Sequence, residues 1–175
     1  MCGIAGILNF SGTFPVLKSV RNMTDALRHR GPDDEGYLVA ETKTGRVDLF
    51  GGNDTPQDVF ACPLSYAPRS KIDQAEELEQ VPQIALGHRR LSIIDLSPSG
   101  HQPMCNSKGT LWIVYNGEIY NYLEIRSELQ KLGHNFRSQS DTEVLLAAYE
   151  EWGPAALKRL IGMFAFAILD MPKKK

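Results

Sequence analysis

Residues 3–8 read Gly-Ile-Ala-Gly-Ile-Leu, a short stretch of small and apolar residues with the length of a buried strand. The spacing then becomes helical over residues 16–29, where Leu17, Val20, Met23 and Leu27 fall on one face before Gly31-Pro32 ends the run. Further strands are predicted at 36–40, 84–95, 111–116 and 163–170. Asn121 with Glu124, and Ser140 with Glu143, have the spacing of capping boxes. The first predicts a helix with Tyr122, Ile125, Leu129 and Leu132 on one face; the second predicts a helix through Trp152 with Val144, Leu145, Ala148 and Trp152 inward. A short helix is expected at 155–160. Between 41 and 83 the pattern dissolves into Gly51-Gly52-Asn53-Asp54-Thr55-Pro56, Ala67-Pro68-Arg69-Ser70 and an acidic run at 76–79. This reads as a long excursion with at most a short helix near 73–78, of the kind that is usually functional or mobile. Strands and helices are mixed, with the helices grouped between strand pairs, so the expected architecture is two sheets covered by helices.

Composition narrows the class. At 175 residues, 42% hydrophobic and 23% charged, the chain is one globular domain able to bury roughly 70% of its unfolded surface. A formal net charge of -2 gives no broad basic field, so nucleic acid is not an expected partner. Three cysteines, Cys2, Cys62 and Cys105, lack both the even count of a disulfide framework and the CxxC spacing of a zinc site. No metal is expected, and a reducing cytoplasm is the expected location. The first residues lack a basic segment followed by a long apolar region, and no apolar run approaches the ~18 residues that cross a bilayer, so secretion and membrane insertion are not expected. The end of the chain, Pro172-Lys173-Lys174-Lys175, directly follows a strand and reads as a cut within a longer protein or as a short basic tail.

Cys2 carries the most chemical information. With Met1 removed, it would hold a thiol and a free α-amine on one residue, with ordinary pKa values near ~8.5 and ~7.7–8.0, so that nucleophile and base exchange a proton near neutrality without a histidine. With Met1 retained, that amine is locked in a peptide bond. The alternative is a small buried cysteine that starts a strand.

Five clusters now stand in order: Met1-Cys2-Gly3-Ile4-Ala5-Gly6, Leu27-Arg28-His29-Arg30-Gly31-Pro32-Asp33, His88-Arg89-Arg90-Leu91-Ser92-Ile93, Asn116-Gly117-Glu118-Ile119-Tyr120-Asn121 and Ser140-Asp141-Thr142-Glu143. Together they resemble the glutaminase domain of glutamine-hydrolysing asparagine synthetases, a class II glutamine amidotransferase and N-terminal-nucleophile hydrolase. The resemblance covers nearly all of residues 1–175 apart from 41–83, which is longer than expected for the family. It implies an α+β fold, a four-layer αββα sandwich with the nucleophile at the end of a central strand. It also implies hydrolysis of L-glutamine through a γ-glutamyl thioester on Cys2, with the ammonia passed to a C-terminal synthetase domain that amidates aspartate.

By this resemblance the Asn116 side chain and the Gly117 N–H form the oxyanion hole, Arg90 takes the substrate carboxylate, Asp141 takes its ammonium with Glu118 beside it, and backbone around Leu91 and Ile93 lines the same cavity. Arg30 helps to position the cysteine. Read from the residues alone, Asn116-Gly117 is equally a hairpin turn, Arg90 a solvated charge on an edge strand and Asp141 a helix N-terminal residue. Arg28, His29 and Arg30 could simply complement a helix C-terminus. Cys62 and Cys105 are expected to be bystanders, and His88 and His101 lack metal-site spacing. The glutaminase chemistry needs no cofactor; ATP and Mg2+ belong to the synthetase domain, of which this chain has no glycine-rich ATP pyrophosphatase loop. A homodimer is compatible with the resemblance, a membrane partner is not expected, and the alternative functions are an amidotransferase for a sugar or peptide carboxylate, an amidase acting on another amide, and a non-catalytic regulatory domain of the same fold.

Overall fold

The computed structural model describes residues 2–10, 16–75 and 82–174. Met1, and the part of the predicted 73–78 helix from 76 onward, lie outside the described residues. The elements are β1 (Gly3–Leu8), α1 (Val16–Ala26), β2 (Asp34–Glu41), β3 (Arg46–Gly51), α2 (Gln57–Phe60), β4 (Ser70–Lys71), β5 (Ile84–Arg90), β6 (Met104–Cys105), β7 (Leu111–Ile119), α3 (Tyr122–Lys131), α4 (Asp141–Trp152) and β8 (Gly162–Asp170), with single 3-10 turns between several of them.

Two sheets form. The first has the order β1-β5-β2-β3-β4, the second β6-β7-β8. Strand alternation explains the layering. Tyr37 and Val39 of β2 and Ala85 of β5 meet Val16 and Val20 of α1, while Leu38, Ala40 and Leu86 face Met104, Ile113 and Tyr115 of the second sheet. On the far side α4 lies against β7, and α3 packs on α4 through Ile125, Leu129, Val144 and Ala148. The order helix, sheet, sheet, helix is the expected αββα sandwich. Leu38 and Ile113 are both 0% exposed at the sheet interface, where truncation to alanine costs about 2–5 kcal/mol.

Several expectations need correction. The 41–83 excursion opens with a regular hairpin, because β3 pairs antiparallel with β2 from Glu41↔Arg46 to Gly36↔Gly51. Its sequence, Arg-Val-Asp-Leu-Phe-Gly, is only weakly alternating and sits among turn residues, so periodicity alone passes it over. The strand predicted at 84–95 stops at Arg90, and 91–95 are loop. Among the described residues β1 is an edge strand of its sheet rather than a central one; it pairs with β5 alone, but lies against β7 across the sandwich. Asn116-Gly117 is no turn either, since both sit inside β7 opposite Ala165 and Phe164.

The capping residues divide. Ser140 accepts from the Thr142 N–H at 3.0 Å, as a cap should, but Glu143 turns to the Arg137 and Ser138 N–H groups rather than back to the cap. Asn121 makes no side-chain cap; it accepts from Ile161 N–H and donates to the Arg159 carbonyl, tying α3 to the start of β8. Leu132, expected inward, is 53% exposed, and Trp152 is only half-buried.

Candidate active site

Cys2 stands directly before β1, and the Gly3↔Arg89 register brings it to the end of β5. There the Leu91 N–H donates to Sγ at 3.4 Å, and Sγ lies 3.7 Å from the Leu91 carbonyl. From the other side Arg30 donates through Nε to the Cys2 carbonyl at 3.0 Å. Arg30 belongs to a 3-10 turn, Arg28–Arg30, that can lie flat on β5 because Gly31 follows: a Cβ there would run into the backbone of Arg89 and Arg90. Burial pushes the Cys2 thiol above its usual pKa; the Leu91 N–H and the Arg90 charge work the other way, and the Asp141 charge adds to the rise. A thiol in that state needs a base at the moment of attack.

Arg90, at the end of β5, is held by neutral oxygens. It donates to the Ser97 carbonyl at 3.2 Å and to the Asp95 carbonyl, and its nearest carboxylate, Asp34, is 3.9 Å away. Gly100 leaves room for it in this position, since a Cβ there would displace the guanidinium. Asp141 opens α4. Its Oδ2 accepts from the Tyr115 hydroxyl at 2.7 Å and the Ile119 N–H at 3.1 Å. At 4% exposure, burial raises the pKa of this carboxyl, with those donors opposing the rise.

These groups face one cavity of about 290 Å3, whose wall includes Cys2, Arg90, Leu91, Ile93, Gly117, Glu118 and Asp141. Asn116 flanks this wall from β7 without forming part of it; its Oδ1 is enclosed and has no hydrogen-bond partner among the described residues. Arg30 touches the site only through the Cys2 carbonyl. Sequence reading missed Tyr115 and Gln102. Tyr115 reads as one more core residue of a strand, and Gln102 as part of a His-Gln-Pro loop, yet both line the cavity. Gln102 accepts from the Tyr115 N–H at 2.7 Å and donates to Thr142 Oγ1 at 3.1 Å, joining β7 to the start of α4.

The remaining polar candidates lie elsewhere. Arg28 does not serve a helix end; it pairs with Asp54 at 2.6 Å. Cys105 is buried against Ser65 Oγ at 3.3 Å, and neither it nor Cys62 reaches the cavity. Burial brings the His88 pKa down to about 4, and its Nε2 lies 3.0 Å from the Tyr115 carbonyl. A carbonyl can only accept, so Nε2 carries the proton. His101 contacts Asp34 at 2.8 Å. Among the described residues no group of three or more His, Cys, Asp or Glu could hold a metal ion, and no helix is long and apolar enough to cross a membrane.

Residues 1–49 and 66–175 match the glutamine amidotransferase domain family. The chain belongs to that family. Residues 50–65 fall outside the match, so the part of the 41–83 excursion that departs from the family is its middle only. The domain is 47% identical over 157 residues to a putative glutamine-hydrolysing asparagine synthetase of Mycobacterium tuberculosis, covering 87% of this chain and 18% of that protein. It is 34% identical over 171 residues to glutamine-hydrolysing asparagine synthetase 1 of Bacillus subtilis, covering 96% and 20%. The chain thus spans about a fifth of the length of these relatives. Among solved structures, glutamine phosphoribosylpyrophosphate amidotransferase from B. subtilis superposes with a TM-score of 0.71 at 21% identity over 96% of this chain and 35% of that one. At that identity the likeness establishes the shared fold, the αββα sandwich described above.

Proposed function

We propose that this domain hydrolyses L-glutamine to glutamate and ammonia. Sγ of Cys2 attacks the side-chain amide carbon and its proton passes to the α-amine of Cys2 once Met1 is removed. The C–N bond then breaks, the proton leaves with the ammonia, and water hydrolyses the γ-glutamyl thioester to glutamate and the free thiol. Asn116 and the Gly117 N–H would receive the oxyanion, each donor of this kind being worth about 2.7–4 kcal/mol. Arg90 would take the α-carboxylate through a bidentate contact and Asp141 the ammonium, with Glu118 at the rim and the backbone at Leu91 and Ile93 completing the wall. Arg30 would fix the Cys2 backbone.

The observation that carries this reading is the presence of Cys2, Arg90 and Asp141 on the wall of a single cavity, a set of a thiol, a cation and an anion that fits a zwitterion. The asparagine synthetase relatives support the next step, in which a synthetase partner domain, with ATP and Mg2+, uses the ammonia to amidate aspartate. Three free cysteines support a cytoplasmic setting.

The test is glutamate release from L-glutamine, together with intact mass before and after a glutamine-like electrophile. The wild type should lack Met1, turn over glutamine and gain one label; Cys2→Ala should fold, stay unlabelled and be inactive. Activity persisting in Cys2→Ala, or in a chain that keeps Met1, would overturn the proposal.

A further inference from the structure

Resting on that reading, we propose that Tyr115 is the positioning residue that makes the cavity select a substrate with an α-ammonium group, by holding the Asp141 carboxylate in place through its hydroxyl. Tyr115 is 3% exposed and is fixed at every polar atom. Its N–H donates to Gln102 Oε1 at 2.7 Å, its carbonyl accepts from His88 Nε2 at 3.0 Å, and its hydroxyl donates to Asp141 Oδ2 at 2.7 Å. All three partners lie outside the second sheet, on the loop before β6, on β5 and at the start of α4; the first two fix the Tyr115 backbone and the third its hydroxyl. The Ile119 N–H binds the same Oδ2, four residues further along β7. The carboxylate is therefore clamped by donors from one strand.

The clamp also bears on the charge of Asp141. Burial favours its neutral form, in which it would no longer attract an ammonium; the Tyr115 donor favours the anion. Burial and the neighbouring carboxylate push the Tyr115 pKa far above its usual value, so the hydroxyl remains a donor throughout the working pH range. The other ionisable groups at the cavity are Cys2, Arg90, Asp95 and Glu118. None of them donates a hydrogen bond to Asp141. Removing the hydroxyl should thus weaken recognition of the ammonium and raise the Asp141 pKa, while the cysteine and the oxyanion donors stay as they are.

The experiment is steady-state kinetics of Tyr115→Phe on L-glutamine, with the glutamine analogue lacking the α-amino group as competing inhibitor. The KM for glutamine should rise roughly tenfold, as expected for loss of one hydrogen bond to a charged group. kcat should remain within about twofold, the Ki of the analogue should not move, and the acid limb of kcat/KM should shift to higher pH. In an Asp141→Asn background the same change should be silent. An unchanged KM, a KM and Ki that rise together, or a Tyr115→Phe chain that fails to fold by far-UV circular dichroism would each overturn the assignment. A wild type that does not hydrolyse glutamine sinks the glutaminase reading itself, and is recognised before any variant is made.

Discussion

Arg89 and Arg90 are consecutive on β5 and point to opposite faces of the sheet, and their surroundings could hardly differ more. Arg89 is 1% exposed and closed in by carboxylates: Asp54 at 2.8 Å, Glu35 at 3.2 Å and Asp25 at 3.7 Å, with the Thr24 carbonyl at 3.4 Å. Glu35 in turn accepts from the Asp54 N–H and the Tyr37 hydroxyl, both at 2.8 Å. Arg90 is held by carbonyls, which fix its direction, and its nearest carboxylate, Asp34, stands off at 3.9 Å. A guanidinium neutralised by its own chain serves the fold. One braced by neutral dipoles keeps its field for an anion that arrives from outside. The Arg89 network also recruits Asp54, from the segment that falls outside the family match, so this unmatched loop is docked on the structural face and away from the cavity.

The strongest way to break this comparison is Arg89→Met. It leaves Glu35 buried without its cation and Asp54 with only the exposed Arg28, and should cost about 3–5 kcal/mol in urea denaturation. A loss below about 1 kcal/mol would mean that the network is not structural. Next comes the buried His88 behind the cavity. Its pKa falls to about 4 in the folded chain against about 6.5 when unfolded, so the unfolded state binds the extra proton first as pH drops. Stability linked to this group is complete above about pH 6.5 and declines between about 6.5 and 4, by roughly 3 kcal/mol over the window. Denaturation of wild type and His88→Gln at several pH values checks it, since the variant should lose that part of the slope.

Arg90→Lys sharpens the contrast from the other side. A single ammonium cannot reproduce a bidentate contact, so the KM for glutamine should rise about 10- to 100-fold, while denaturation moves by less than about 1 kcal/mol. Equal effects of the two arginine substitutions on stability would erase the distinction drawn here. The smallest effect belongs to Arg28→Ala, which removes an exposed partner from Asp54 and should change stability by about 0.2–1 kcal/mol with no kinetic consequence.

Legibility followed the strength of local pattern. β1, α1 and α4 were readable because their apolar spacing is regular and their ends carry breakers or caps, as with Gly31-Pro32 and Ser140. β3 was not readable, because its partner β2 and the α1 contact of Phe50 supply the order that its own residues do not. Asn121 has the spacing of a cap but spends its side chain on the Arg159 carbonyl and the Ile161 N–H, a choice made by a chain segment about 40 residues away. Seven of the nine candidate site residues were brought to one cavity wall; Asn116 flanks it and Arg30 acts on Cys2 from behind.

The sequence by itself determined the reactive atoms and their order along the chain: a thiol at position 2, an arginine after an apolar strand, an Asn-Gly pair and an aspartate after a capping serine. Those are properties of residue type and local spacing, which need no fold to be seen. Only the tertiary structure decided that Arg90 faces the cavity and Arg89 the α1 side of the sheet, that Asn116-Gly117 is strand and not turn, and that Tyr115 and Gln102 belong to the site. Each of these depends on which strands pair and in what register, and a shift of one residue in β5 or β7 would exchange the two faces.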